Sequence, residues 1–193
     1  WMRHLFDVAD EAVVDVLGEL QTGHAADVIE GVPLCVRLIP GLAPDGRPSL
    51  RVDFEGTGGP HAGNLNAPTA VVRAAVLYAL RVLVDRPIPL NEGALRHVQI
   101  VVPEPSILAP PPGAAVVGGN VETSQRLVDL LLRAAGARAA SQGTMNNLTL
   151  GGDGWSLYET LGGGTGASAS GPAPSAQQVH MTNTRATDVE VLE

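Results

Sequence analysis

Two consecutive glycines, Gly118-Gly119, precede Asn120-Val121-Glu122-Thr123-Ser124-Gln125-Arg126 and then an aliphatic stripe, and no other stretch constrains this chain as much. Glycine tolerates the positive φ that a tight turn demands. Asn120 is a favoured N-cap, and Glu122 falls in the first turn, where the helix dipole stabilises negative charge. Leu127, Leu130, Leu131, Ala134 and Ala135 recur at helical spacing, with Val128 and Leu132 widening the stripe, which predicts a buried helix to about residue 135. A buried helix that opens on a run of polar side chains needs somewhere to put them, because an unpaired polar group in an apolar interior costs free energy. Its start is therefore expected to face a cleft, beside a second polar cluster, Ser141-Gln142-Gly143-Thr144-Met145-Asn146-Asn147.

Around this helix the chain reads as mixed α/β, a single domain segment over residues 1–193. Leu5, Val8, Ala12, Val13, Val16 and Leu20 mark one face of a helix over 4–20. Residues 22–31 are polar and fit no period. The β-prone runs 34–39 and 50–54 flank turn chemistry from Gly41 to Pro48 and predict a hairpin. A glycine-rich loop carrying His61, Asn64 and Asn66 comes next. Residues 67–84 are apolar nearly all round, with Asn66 placed to cap them and Pro68 tolerated in the first turn, so a second buried helix is expected. Residues 97–102 alternate as a strand does. Residues 147–150 and 155–161 bracket Gly151-Gly152-Asp153-Gly154 and predict a hairpin. Residues 167–177 read as a low-complexity loop and 178–184 as a last strand. The expected architecture is buried apolar helices packed on one mixed sheet containing 97–102, 155–161 and 178–184.

Composition excludes several functions. Aromatics make up only 3% of the chain against 45% hydrophobic residues, so the core must be aliphatic. All twelve basic residues are arginine and the net charge is −8 with no basic stripe, which argues against a nucleic-acid partner. The single cysteine, Cys35, precludes an internal disulfide and a cysteine metal cluster. No apolar run is long enough to cross a membrane and no signal-peptide pattern is present, so a cytoplasmic protein without membrane contact is expected.

Taken singly, the polar positions have ordinary explanations. Gly162-Gly163-Gly164-Thr165-Gly166 invites a phosphate loop, since successive backbone N–H groups cradle anions, but it lacks the lysine and hydroxyl of a P-loop. His180 fits a hydrogen-bonded strand histidine, Glu122 a dipole partner, and Asn146 and Asn147 turn residues. His61 has no second ligand at metal spacing. Spacing alone assigns no residue a catalytic role.

Together the clusters resemble the hydantoinase B/oxoprolinase family. The resemblance is carried by Gly119-Asn120-Val121-Glu122-Thr123-Ser124-Gln125-Arg126, Ala140-Ser141-Gln142-Gly143-Thr144-Met145-Asn146-Asn147, Tyr158-Glu159-Thr160 before Gly162-Gly163-Gly164, and His180-Met181-Thr182-Asn183-Thr184-Arg185. Arg73-Ala74-Ala75-Val76-Leu77-Tyr78-Ala79-Leu80 and Pro89-Leu90-Asn91-Glu92-Gly93 are similar to the segment that precedes them in the family. The match runs from about Arg51 to the last residue, whereas residues 1–39 fit loosely. Family members are longer, which makes this chain resemble a portion of a larger hydantoinase B-like fold.

The resemblance implies an ATP-dependent enzyme that opens a cyclic amide or imide such as 5-oxoproline, a hydantoin or a lactam. A ketone carboxylase piece or a non-catalytic scaffold segment is the alternative, and chemistry alone would also allow a small anion-binding domain. ATP is expected on a partner, a hydantoinase A-like ATPase subunit that phosphorylates the substrate oxygen. A divalent metal is expected in the full enzyme, with ligands on a chain carrying the N-terminal half of hydantoinase B and none here. Carried onto this sequence, the motifs make Glu122, His180 and Glu159 the candidate proton carriers. Asn120, Thr123, Gln142, Asn146, Asn183 and Arg185 are the candidate substrate-binding groups. Gly163, Gly164 and Gly166 are the candidate phosphate-binding amides, and Glu122, Asn146, Glu159, His180 and Arg185 are expected to line one cleft.

Overall fold

The computed structural model describes residues 1–84, 86–89 and 91–181. The chain begins with helix α1 (Met2–Glu19), which turns Ala9, Ala12, Val13 and Leu17 inward. Four strands build the main sheet in the order β1 (Gly23–Ile29), β2 (Val32–Leu42), β3 (Pro48–Asp53) and β4 (Val98–Val101). The first three run antiparallel, and β4 joins β3 in parallel. Helix α2 (Thr69–Leu83) lies in the long crossover from β3 to β4, and helix α3 (Thr123–Ala134) comes after β4.

Period-two alternation sets which sheet face is covered. Leu34, Val36, Leu38, Leu50 and Val52 are buried, whereas Arg37 and Arg51 of the same strands stand in solvent. α3 packs on β1 and β2, α1 on β3, and α2 against α3. The core is aliphatic, as the composition requires, with Phe54 as its one large aromatic. α3 is its centre, since Leu127, Val128, Leu130 and Leu132 are all within 1% of complete burial.

Several expectations hold: the α1 helix, the β2–β3 hairpin, α2, α3 and a second hairpin formed by β5 (Asn147–Gly152) and β6 (Trp155–Thr160). Others need correction. Residues 22–31, without a readable period, form β1, because an edge strand needs only its alternate residues Ala25 and Ile29 in the core. The helix predicted to open at Asn120 starts at Thr123, after a 3₁₀ turn over Val117–Gly119, so Glu122 takes the N-cap position. Asn66 does not cap α2, whose N-cap is Pro68.

The single sheet is also corrected. β6 pairs only with β5, as a two-stranded ribbon outside the main sheet. Residues 178–181 are not a strand, and the rest of the predicted last strand lies outside the described residues. In its place a second two-stranded sheet pairs β7 (Gly163–Gly164), in the glycine stretch, with β8 (Ser175–Gln177), in the stretch read as a low-complexity loop.

Asn66 fixes the approach to α3. Its side chain is wholly buried, accepts from the His61 N–H at 2.8 Å, and donates to the carbonyls of His61, Gly63 and Ala115. Gly119 packs so tightly on this loop that a Cβ there would overlap the Asn66 carbonyl. The second glycine of the pair is thus required by close approach of two backbones rather than by a positive φ.

Candidate functional site

α3 presents two polar sets to the segment that succeeds it in the chain. At its N-terminus Glu122 makes no side-chain cap bond. Its Oε1 accepts from the Thr144 hydroxyl at 2.7 Å, and Thr144 Oγ1 in turn accepts from the Asn146 N–H at 3.1 Å. Asn146 is held at φ +60°, and its side-chain Nδ2 donates to the Leu161 carbonyl at 3.1 Å. The Leu161 N–H returns a bond to the Asn146 carbonyl at 3.0 Å, closing the neck of the β5–β6 hairpin. A backbone bond from Met145 to the Val121 carbonyl, 3.1 Å, ties the segment to the helix start. Glu122, Thr144 and Asn146 are all partly exposed, so this set reaches water.

Two turns further along α3, Asp129 is buried to 2% exposure. Its Oδ1 accepts from the Ser141 N–H at 2.8 Å and lies 2.7 Å from His180 Nε2, while Oδ2 accepts from the Ser141 hydroxyl at 3.1 Å. The His180 side chain is only 7% exposed, and its backbone sits at φ +53°. The ring meets that of Tyr78 edge-on, with centroids 6.0 Å apart. Burial is the largest influence on the Tyr78 hydroxyl and pushes its pKa up, against the lesser pull of the His180 backbone and Arg138.

Sequence reasoning found His180 but missed Asp129 and Thr144. The Asp129 signal was available: a carboxylate inside the stripe from Leu127 to Leu132 faces the core and must find partners.

The other candidates fall elsewhere. Thr123 is fully buried and donates to the Leu65 carbonyl at 2.5 Å, so it braces the interior. Asn120 is exposed, and its carbonyl accepts from the Ser124 hydroxyl at 2.7 Å. Glu159 is exposed on β6, on the second rung from the hairpin neck, opposite Leu148. Asn183 and Arg185 lie outside the described residues. The structure thus joins Glu122 with Asn146 and His180 with Asp129. Segment 141–146 runs between these pairs, and Glu159 bonds to neither.

The glycine loop is tightly packed. A Cβ at Gly163 would overlap the Gln142 side-chain amide, one at Gly166 the Ala139 carbonyl, and one at Gly162 the backbone of Ala176. Only Gly164 has open space there, and its carbonyl accepts from the Gln142 N–H at 3.1 Å. These glycines let three chain segments pass close together. Among the described residues no three His, Cys, Asp or Glu side chains converge to hold an ion. Among them, too, no helix is long and apolar enough to cross a membrane.

Known proteins share both the sequence and the fold. The model of the family described as hydantoinase B/oxoprolinase matches residues 1–193, so the loosely fitting first 39 residues fall within the match too. The chain is 55% identical over 141 residues to 5-oxoprolinase 1 of Arabidopsis thaliana, a match covering 73% of this chain but 11% of that protein. In fold it resembles the ATP-dependent caprolactamase of Pseudomonas jessenii, with a TM-score of 0.74 at 18% identity, covering 98% of this chain and 36% of that one. It also resembles acetone carboxylase in its nucleotide-free form, with a TM-score of 0.67 at 16% identity over 95% of this chain and 29% of that one.

Proposed function

The chain belongs to the hydantoinase B/oxoprolinase family, and we propose that it is part of an ATP-dependent amidohydrolase that opens a small cyclic amide. In this reading it works with a hydantoinase A-type ATPase subunit and with a chain carrying the N-terminal half of hydantoinase B. The relative named 5-oxoprolinase supports the substrate class. The ATP site is placed on the partner in this reading, since the glycine loop here lacks the lysine of a P-loop. Any divalent metal belongs to the N-terminal half, and no step is assigned to it.

One observation carries the reading: Glu122 is held by Thr144 at a partly exposed helix start, with Asn146 on the same hydroxyl. Opening an amide ring requires a base to take a proton from water and a group to orient the carbonyl. Glu122 is the base in this proposal, and Asn146 and the exposed Asn120 orient the amide. Glu122 and Asp129 are seven residues apart on one helix, about 10 Å along its axis. A single small ring therefore does not bridge both sets, and the buried His180 acts by positioning segment 141–146 rather than by touching the reacting atoms. Asn183 and Arg185 are retained as candidate substrate groups. Glu159 stands ready on the hairpin for a partner or substrate approaching from that side.

Replacing Glu122 by Gln tests the proposal in the complete assembly. Cyclic-amide hydrolysis should fall by about 10²–10⁴-fold, the usual contribution of a general base, with assembly and melting temperature unchanged. Unchanged turnover would move the chemistry to the N-terminal half and leave this chain a scaffold. The acetone carboxylase likeness favours a second reading, carboxylation of a ketone. Uptake of labelled bicarbonate by the same assembly separates the two.

A further inference from the structure

The β5–β6 ribbon is amphipathic, and its apolar face stands in solvent. Residues opposite each other in an antiparallel pair point to one side of the ribbon, and successive pairs alternate between sides. Leu148 lies opposite Glu159, Leu150 opposite Leu157 and Gly152 opposite Trp155, so these three pairs share a face. Asn147 with Thr160, Thr149 with Tyr158 and Gly151 with Ser156 make the other face, which is polar apart from the Tyr158 ring. On the first face Leu150, Leu157 and Trp155 are 47%, 45% and 59% exposed. Trp155 lies across Gly152, where a Cβ would overlap its indole nitrogen. The glycine thus lets the ring extend the leucine row. A two-stranded ribbon is marginally stable in water unless its apolar face packs on something. Singly exposed apolar residues are ordinary, but a contiguous apolar row marks an interaction surface.

Size and charge narrow what fits it. Two such faces stacked together would bury at most about half of the roughly 800 Å² per partner of a stable interface, which argues against a second copy. Residues 147–160 include Asp153 and Glu159 and no basic residue, so a complementary rim is cationic. In the two solved neighbours this fold accounts for 36% and 29% of a chain, so most of each chain lies beyond it. We infer that the apolar face of β5–β6 docks into an apolar groove, edged by arginine or lysine, on the chain carrying the N-terminal half of hydantoinase B. This rests on the reading above that such a chain completes the assembly, and on no chemistry at Glu122. The bonds between Asn146 and Leu161 tie the neck of the ribbon to the Glu122 set, so the docked chain comes to lie beside the candidate base.

The test produces the two chains separately. The 193-residue chain carries fluorotryptophan in a Trp1→Phe background, which leaves Trp155 as its one tryptophan. Titration with the chain carrying the N-terminal half should shift the fluorine resonance of Trp155 to saturation. Leu157→Thr keeps strand propensity while removing apolar surface, and should weaken the affinity about tenfold or more, as loss of a central apolar anchor does. Tyr158→Thr makes the same replacement on the opposite face and should leave the affinity unchanged. Glu159→Arg should weaken binding and flatten its dependence on salt. Leu157 and Tyr158 are both exposed, so neither replacement should move the melting temperature of the free chain. Association that ignores Leu157→Thr, or that suffers equally from Tyr158→Thr, would overturn the inference while leaving the two-chain assembly standing. A Trp155 shift that grows with the chain's own concentration would give the face to a second copy, and one produced by the ATPase subunit alone would give it to that protein. Either result overturns the inference. No association of the two chains in sedimentation would overturn the inference together with the reading it rests on.

Discussion

Asp129 Oδ1 and His180 Nε2 lie 2.7 Å apart, joining the middle of α3 to a residue 51 positions later in the chain. Both side chains are more than nine-tenths buried, and the carboxylate also holds the Ser141 N–H and hydroxyl. The pair therefore fastens two segments, 141–146 and the one carrying His180, to a single helix turn.

Removing one partner of a buried pair leaves the other uncompensated, at a cost of about 3–5 kcal/mol. Asp129→Asn and His180→Gln should each lower the unfolding free energy, read from denaturant titration, by an amount in that range. The double variant should be less destabilised than the sum of the two. Additive losses would mean that the two side chains do not interact.

Thr144 reports on the Glu122 set. Thr144→Val removes the hydroxyl bond to Glu122 and the acceptor for Asn146, while keeping the side chain's shape. Loss of a hydrogen bond to a charged group is worth about 1.5–3 kcal/mol. Turnover of the complete assembly should drop by a factor between those of the parent and Glu122→Gln, and the melting temperature should fall by several degrees. A Thr144→Val assembly as active as the parent would detach Asn146 from the chemistry.

The junction before α3 predicts a stability effect without a functional group. Asn66→Ala discards four hydrogen bonds and strands three carbonyls and an N–H, each costing about 1–3 kcal/mol if it stays dry. Gly119→Ala forces the same loop outward by overlap with the Asn66 carbonyl. Both should lower the melting temperature far more than Gly164→Ala, where a Cβ meets open space. Thermal melts of the three variants check the order.

Asp53 governs part of the acid limb. The Glu55 N–H at 2.9 Å is the main cause that holds its carboxyl below the ordinary range, opposed by burial and helped by Arg51 and Arg37. A depressed folded pKa contributes stability above the unfolded value of about 3.9, and that contribution fades as pH falls through the folded value. Asp53→Asn should therefore be less stable than the parent at neutral pH and lose less on acidification below about pH 4. Parallel pH-dependence in the two proteins would refute this.

Legibility in the sequence tracked burial. α2, α3 and the β2–β3 hairpin were readable because their apolar residues carry a period, and the Gly151-Gly152-Asp153-Gly154 turn announced the β5–β6 hairpin. β1 was hidden because Gly23, His24, Ala26 and Asp27 blur its alternation. The separation into three sheets was unreadable, since pairing partners depend on contacts far apart in sequence. At the site, Glu122, Asn146 and His180 were found through motifs that resemble a family. Asp129 and Thr144 escaped because one sits in an apolar helix and the other in a cluster of similar residues, and only the folded chain shows which atoms they touch.

α3 acts as a ruler. Each residue of an α-helix advances 1.5 Å and turns about 100°, and the burial of α3 on nearly every side prevents it from looping out an extra one. A one-residue insertion between Glu122 and Asp129 would swing the carboxylate away from Ser141 and His180 while leaving the Glu122 end in place. A one-residue insertion in the exposed turn at Asp153 and Gly154 would disturb neither. Tolerance of length change along this chain is thus set by which element fixes the phase between its two polar sets.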